Sequence, residues 1–175
     1  RAQAKTYSGV AYLSLALFAE GPGDHRFLPP LLKRLTESIC LETADRIIEV
    51  GPLIPLHSPR AFRTRDRSTR ILEAAREADA SFHVLLIHSD GDGDVSRITA
   101  EQVTPAIIEI AGNLAGGANR AVGVVPVRET EAWALADGDA LRKAFGTALS
   151  NADLGIPERP QDVERALDPK QVLEE

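Results

Sequence analysis

Apolar runs alternate with amphipathic stretches along most of the chain. Ala11 to Ala19 is almost wholly apolar, the pattern of a strand covered on both faces. It ends on Glu20-Gly21-Pro22-Gly23-Asp24, a turn with two glycines. Phe27, Leu28, Leu31, Leu32, Leu35 and Ile39 then recur at helical spacing, with Lys33, Arg34 and Glu37 on the other face. Pro29 and Pro30 fit such a helix only near its first turn, which leaves its start open. Arg46 to Val50 predicts a short second strand, and Gly51 to Pro59, with three prolines, predicts a loop. The arginines Arg60, Arg63, Arg65, Arg67 and Arg70 lead into a helix through Ile71, Leu72, Ala75 and Ala78. Phe82 to Ile87 predicts a third buried strand. Thr99 to Leu114 predicts an amphipathic helix with Thr99 as N-cap, and Ala121 to Val127, after the break at Gly116-Gly117, a fourth strand. Glu129 to Asp137 predicts a helix capped by Thr130, and Gly138 to Phe145 a weaker one. Beyond Gly146 the periodicity fades among Pro157, Pro160 and Pro169.

Strands alternating with helices predict an α/β fold, a mainly parallel sheet of about four strands with helices on both faces. No internal repeat or low-complexity tract interrupts it. The 175 residues are expected to form a single domain, with a core of about 11–137 and a helical extension over 138–175. Hydrophobic content of 43% and charged content of 26% are ordinary for a globular protein. The net charge of −6 excludes a generally basic nucleic-acid coat but not a local basic stripe. Cys40 is the single cysteine, so no intrachain disulfide can form and a reducing compartment fits. No apolar run approaches the ~18 residues of a membrane helix. Arg1 to Ser8 lacks a signal-peptide core. Cytoplasm is the expected location. The absence of any methionine leaves open further residues upstream of Arg1, and the end at Glu174-Glu175 leaves open a truncation.

The densest chemistry lies at His88-Ser89-Asp90-Gly91-Asp92-Gly93-Asp94, directly after the third strand. A buried parallel strand delivers its last residues to the sheet edge where open α/β folds bind ligands. Three aspartates at alternate positions repel one another unless a cation sits among them, and magnesium favours such oxygens. The plain alternative is an acidic surface turn built from ordinary turn residues. Glu20 ends the first strand as Asp90 and Asp92 end the third. If those strands are neighbours, the three carboxylates converge.

A Glu-Gly turn after the first strand with Asp-x-Asp after the third resembles the toprim domain of topoisomerases, primases and the overcoming-lysogenization-defect nucleases. Phe18-Ala19-Glu20-Gly21, Phe27-Leu28-Pro29-Pro30-Leu31-Leu32, Ser89-Asp90-Gly91-Asp92 and Thr130-Glu131-Ala132-Trp133 are similar to small stand-alone toprim proteins of a family of unknown function. Those proteins are often thought to partner ATPases in bacterial defence. The resemblance spans about Ala11 to Asp137. It implies that Glu20 is a general acid/base or metal contact and that Asp90 and Asp92 bind Mg2+ or Mn2+. It implies that Glu131 is the extra acid of the nuclease branch, with Asp94 a spare ligand or a turn residue. For Glu131 the alternative is a helix-N-terminal acid stabilised by the dipole. Trp133 reads as core.

Competing templates fail on particular residues. A calcium loop from Asp90 would need glycine where Val95 stands, and a dinucleotide fingerprint would need glycine at Arg26. No Walker A motif is present, so ATPase function would come from a partner. His25, His57, His83 and His88 show no metal-ligand spacing. The arginine cluster reads as solvated helix surface or, in a nuclease, as a phosphate-gripping stripe including Arg63, Arg65 and Arg67. The expected function is a magnesium-dependent phosphodiester hydrolase acting on DNA or RNA. The alternative is a non-catalytic module that binds a partner ATPase or a nucleotide.

Overall fold

The computed structural model describes residues 9–116, 120–165 and 169–174. Arg1 to Ser8, where no signal-peptide core was expected, and Gly117 of the predicted glycine break lie outside the described residues. Two compact units emerge: Arg1–Ser89 with Thr99–Val124, and Asp90–Ile98 with Val125–Glu175.

Unit 1 is an α/β body with only parallel strand pairs among the described residues. The chain runs β1 (Val10–Leu13), β2 (Leu15–Phe18), α1 (Asp24–Thr43), β3 (Ile47–Val50), β4 (Ile54–Leu56), α2 (Arg67–Glu77) and β5 (Val84–His88). A four-stranded parallel sheet has the order β4-β2-β5-β6, where β6 is Ala121–Val124, and a two-stranded parallel sheet pairs β1 with β3. All four residues of β2 are buried, as the unbroken apolar run requires of a central strand. In register, Leu15, Ala16, Leu17 and Phe18 pair with Val84, Leu85, Leu86 and Ile87. The two chemistry-bearing strands are thus adjacent and parallel. Helices α2 and α4 (Thr104–Asn113) pack on each other, α4 against β6, and α1 against β3. Leu17, Leu28, Ile71, Leu85, Ile87 and Ile110 fill the core.

Several local expectations change. The single strand from Ala11 to Ala19 is split at Ser14, whose carbonyl accepts the His83 and Val84 N–H groups and whose own N–H donates to His83 Nδ1 at 3.0 Å. One polar residue with an imidazole partner is enough to divide it. The expected loop Gly51–Pro59 contains β4, where Pro55 is tolerated because an edge strand has a side that needs no donor. Helix α1 begins at Asp24, so Pro29 and Pro30 lie inside it rather than in its first turn. Each lacks an N–H, which leaves the carbonyls of His25 and Arg26 without their helical donors. Of its apolar stripe only Leu28 and Leu32 are buried, while Leu35 and Ile39 are exposed.

Thr99 is not an N-cap. A helical turn, α3 (Val95–Ile98), precedes it and is capped by Asp94, while Thr99–Val103 forms a π-helical turn leading into α4. Unit 2 further holds α5 (Thr130–Ala134), α6 (Gly138–Phe145) and α7 (Pro169–Glu174). Thr130 does not cap α5, because it is the first helical residue and is buried, with Glu129 before it. Asp137 caps α6 by accepting the Ala140 N–H, and Gly146 closes it at φ 67°, in the left-handed region. Leu135, Ile156 and Val163 form the small apolar centre of this unit. No described helix is long and apolar enough to cross a membrane.

Candidate functional site

In unit 1, β2 and β5 end side by side and deliver Glu20 and Ser89 to the same edge. The Ser89 hydroxyl donates to Glu20 Oε1 at 2.7 Å and lies 2.9 Å from Gln102 Oε1. One hydroxyl proton cannot serve two oxygens, so the trio is satisfied when Gln102 turns its amide nitrogen toward Ser89 Oγ. The exposed Glu20 carboxylate is held from a second direction by Arg67 at 3.2 Å.

Arg67 owes its position to the residue before it. Asp66 caps α2 through the Thr69 N–H at 2.9 Å and the Ser68 and Thr69 hydroxyls. Those donors, the Thr69 N–H foremost, hold the Asp66 carboxyl well below its usual range. Arg67 is then the first residue of α2, and its guanidinium donates to the His88 carbonyl at 2.6 Å while lying over the Phe18 ring. Burial lowers its pKa, with Glu20 opposing and neighbouring Arg70 adding to the shift. Arg67 clamps Glu20 to the end of β5.

Beside this clamp lies a cleft of about 820 Å³, lined by Glu20, His25, Arg26, His57, Arg67 and Arg70 among others. The His25 and His57 rings stand 4.7 Å apart and tilted by 55°. The His25 pKa is lowered, chiefly by burial and then by His57, while Asp24 raises it and His88 lowers it further. Asp24 accepts the Gly21 N–H at 2.9 Å and faces the fully buried His88 ring at 3.6 Å.

The sequence of residues 19–175 matches the family described as Domain of unknown function (DUF4276). The chain belongs to that family. No curated protein and no solved structure matches it.

The other candidate acids of this DUF4276 chain, Asp90, Asp92, Asp94 and Glu131, lie in unit 2. Gly91 is there because a side chain would collide with the Pro126 carbonyl oxygen and stand 2.7 Å from that of Val127. Asp92 takes a left-handed φ of 50° and Gly93 one of 81°, and their N–H groups donate to the Arg128 and Val127 carbonyls. Segment 126–128 therefore templates the acidic turn. That segment is itself held by Glu164, whose carboxylate accepts the Val127 and Arg128 N–H groups and the Trp133 indole N–H. Asp90 is half-buried, while Asp92 and Asp94 are exposed. Asp94 accepts the Arg97 N–H at 2.9 Å as a helix cap, the work of a turn residue. Glu131 is half-buried in the first turn of α5. Of the arginines singled out in the sequence, Arg67 lines the cleft, whereas Arg63 and Arg65 are exposed and do not. Arg70, a member of the arginine cluster that stands out in the sequence, also lines the cleft, as do Arg26, His25 and His57, which fit no metal or dinucleotide template. Ser89 lies within the acidic stretch, and Glu164 carries no local signal in the sequence.

Among the described residues, no group of three or more histidine, cysteine, aspartate or glutamate side chains is placed to hold a metal ion. The donors in unit 1 are also engaged elsewhere, Glu20 by Arg67 and Ser89 and Asp24 by Gly21. As placed, these side chains do not fit a divalent ion.

Proposed function

We propose that this protein is a phosphodiester hydrolase acting on nucleic acid, with Glu20 as the residue that moves the proton. One observation carries the proposal: Glu20, at the end of β2, is fixed by Ser89 and Arg67 beside a cation-lined cleft. Ser89 directly follows the adjacent parallel strand and runs into the acidic turn. An exposed carboxylate held from two sides can accept a proton from attacking water or return one to the leaving oxygen. The finer fold assignment, toprim, belongs to the same proposal, since parallel neighbours ending in Glu20 and Asp90-x-Asp92 are in keeping with it. Mg2+ or Mn2+ enters as a condition to be tested, with Asp90, Asp92 and Glu131 as the acids to vary. A cytoplasmic setting and an ATPase partner in bacterial defence are expectations carried by the resemblance alone.

A second reading is favoured by the engagement of Glu20 with Arg67 and Ser89: a non-catalytic module that binds a nucleotide or a partner ATPase. The deciding experiment incubates the full chain with single- and double-stranded DNA and RNA, in magnesium, in manganese and in chelator. Cleavage in any arm supports the hydrolase. Intact substrates in every arm leave the binding module.

A further inference from the structure

Three parts of unit 1 that are distant in sequence deliver basic groups to one cleft. Arg26 and His25 come from the first turn of α1, His57 follows β4, and Arg67 and Arg70 come from α2. Three arginines face the single carboxylate of Glu20, a formal +2 with neutral imidazoles, in a chain whose net charge is −6. A positive concavity on an acidic molecule focuses the field and draws anions. The arginines are not equivalent. Arg67 is engaged internally by Glu20 and the His88 carbonyl. Arg26 and Arg70 make no ion pair and no side-chain hydrogen bond among the described residues, and Arg70 keeps its Nε out of water with no acceptor. Arg70 and Arg67 also repel each other. Holding such cations together is unfavourable without an external counter-charge. The volume of about 820 Å³ exceeds what one phosphate group fills. It falls within the roughly 300–1,000 Å³ of sites for larger organic ligands. Phe18, Pro22 and Leu56 add apolar wall on which a sugar or base could rest.

We infer that this cleft is a phosphate-binding site in which Arg26 and Arg70, beside the His25–His57 pair, grip the phosphate of a nucleic-acid strand or a free nucleotide. Guanidinium forks match phosphate oxygens in pairs, and two unengaged forks on one cleft suit a group with several anionic oxygens. The inference deepens the phosphodiester reading and rests on it only for the source of the phosphate. Arg67 stays paired with Glu20, so the cleft's one carboxylate is already matched by a cation.

The test measures binding of a short fluorescein-labelled oligonucleotide to the full chain by fluorescence anisotropy, in chelator and over a salt series. Wild type, Arg26→Gln, Arg70→Gln, the double variant and Arg63→Gln/Arg65→Gln are compared, with circular dichroism confirming the fold of each. The expected result is about tenfold weaker binding per cleft arginine removed. The salt slope should fall by roughly 0.7 for each lost contact to a single strand. Arg26 is exposed, so its variant keeps the test interpretable if Arg70→Gln unfolds. Competition by unlabelled strand, mononucleotide and inorganic phosphate then tells which source is preferred. A folded wild type that binds none of these, binding indifferent to Arg26 and Arg70, or a larger loss in the Arg63/Arg65 pair would overturn the inference. Cleavage is scored separately. Arginine-dependent binding without turnover would sink the hydrolase and leave this site standing, whereas turnover indifferent to Arg26 and Arg70 would do the reverse.

Discussion

Replacing Arg67 by methionine removes the guanidinium and with it a weak cation–π contact over the Phe18 ring at 5.8 Å. Two stronger interactions are lost as well. The hydrogen bond to the His88 carbonyl is charge-assisted and short, at 2.6 Å, and bonds of that kind are worth about 1.5–3 kcal/mol. The ion pair with Glu20 is partly screened, since the Glu20 side chain is 37% exposed, and adds roughly 0–1 kcal/mol. Opposing them is the relief of a guanidinium whose charge is disfavoured by burial and whose Nε has no acceptor. The balance is a loss of about 2 kcal/mol, equivalent to a fall of roughly 4–8 °C in Tm for a chain of this size. Thermal and urea unfolding followed by far-ultraviolet circular dichroism measure it. Arg67→Lys should recover less than half, because one ammonium cannot serve the carbonyl and the carboxylate in the same geometry. A methionine variant within about 0.5 kcal/mol of wild type would refute the clamp, since that is the scatter of unimportant surface changes.

Gly91→Ala forces a methyl into the Pro126 carbonyl and should cost about 1–3 kcal/mol, visible as a lowered Tm; an unchanged melt would mean that segment 126–128 does not template the acidic turn. Glu164→Ala strips the acceptor from the only tryptophan and from two backbone N–H groups. It should cost roughly 2 kcal/mol and shift the Trp133 fluorescence to the red, and an unshifted spectrum counts against the contact. His25 has a lowered pKa in the native state, so below the ordinary imidazole value of 6.5 the unfolded chain takes up protons that the folded chain does not. Its contribution is therefore fully present above that value and lost as pH falls toward the native pKa. Urea midpoints should drop over that window in wild type and less in His25→Gln, and parallel profiles would be the contrary result.

What was legible in the sequence was the part written in contiguous pattern. The apolar runs of β2 and β5 are buried on both faces, and parallel strands of that kind end at one edge, so Glu20 and the residues before Asp90 could be assigned to the same edge of a parallel sheet. Gly91 and Gly93 read in the sequence as ordinary turn residues, which does not reveal that segment 126–128 approaches Gly91. The Ser14 break was illegible because it depends on His83, 69 positions later in the chain. The strand at Ile54–Leu56 was hidden by Pro55, which reads as a breaker unless its edge position is known. The cleft was the least visible feature. Arg26, His57 and Arg70 are unremarkable singly, and only the pairing of β4 with β2 beside α1 and α2 brings them together. The arginine stretch stands out in the sequence, but the cap at Asp66 sets where α2 begins and so places Arg67.

Turnover of nucleic acid by wild type and Glu20→Gln, measured side by side with magnesium, with manganese and with chelator, tests the central claim most directly. Glutamine preserves the shape of the side chain and its acceptor for Ser89 but cannot carry the proton. The account predicts cleavage by wild type and a loss of roughly 10²- to 10⁴-fold in rate for the variant at comparable substrate binding, the usual contribution of a general acid or base. Cleavage by Glu20→Gln at the wild-type rate, or no cleavage by a folded wild type under any of these conditions, would contradict it.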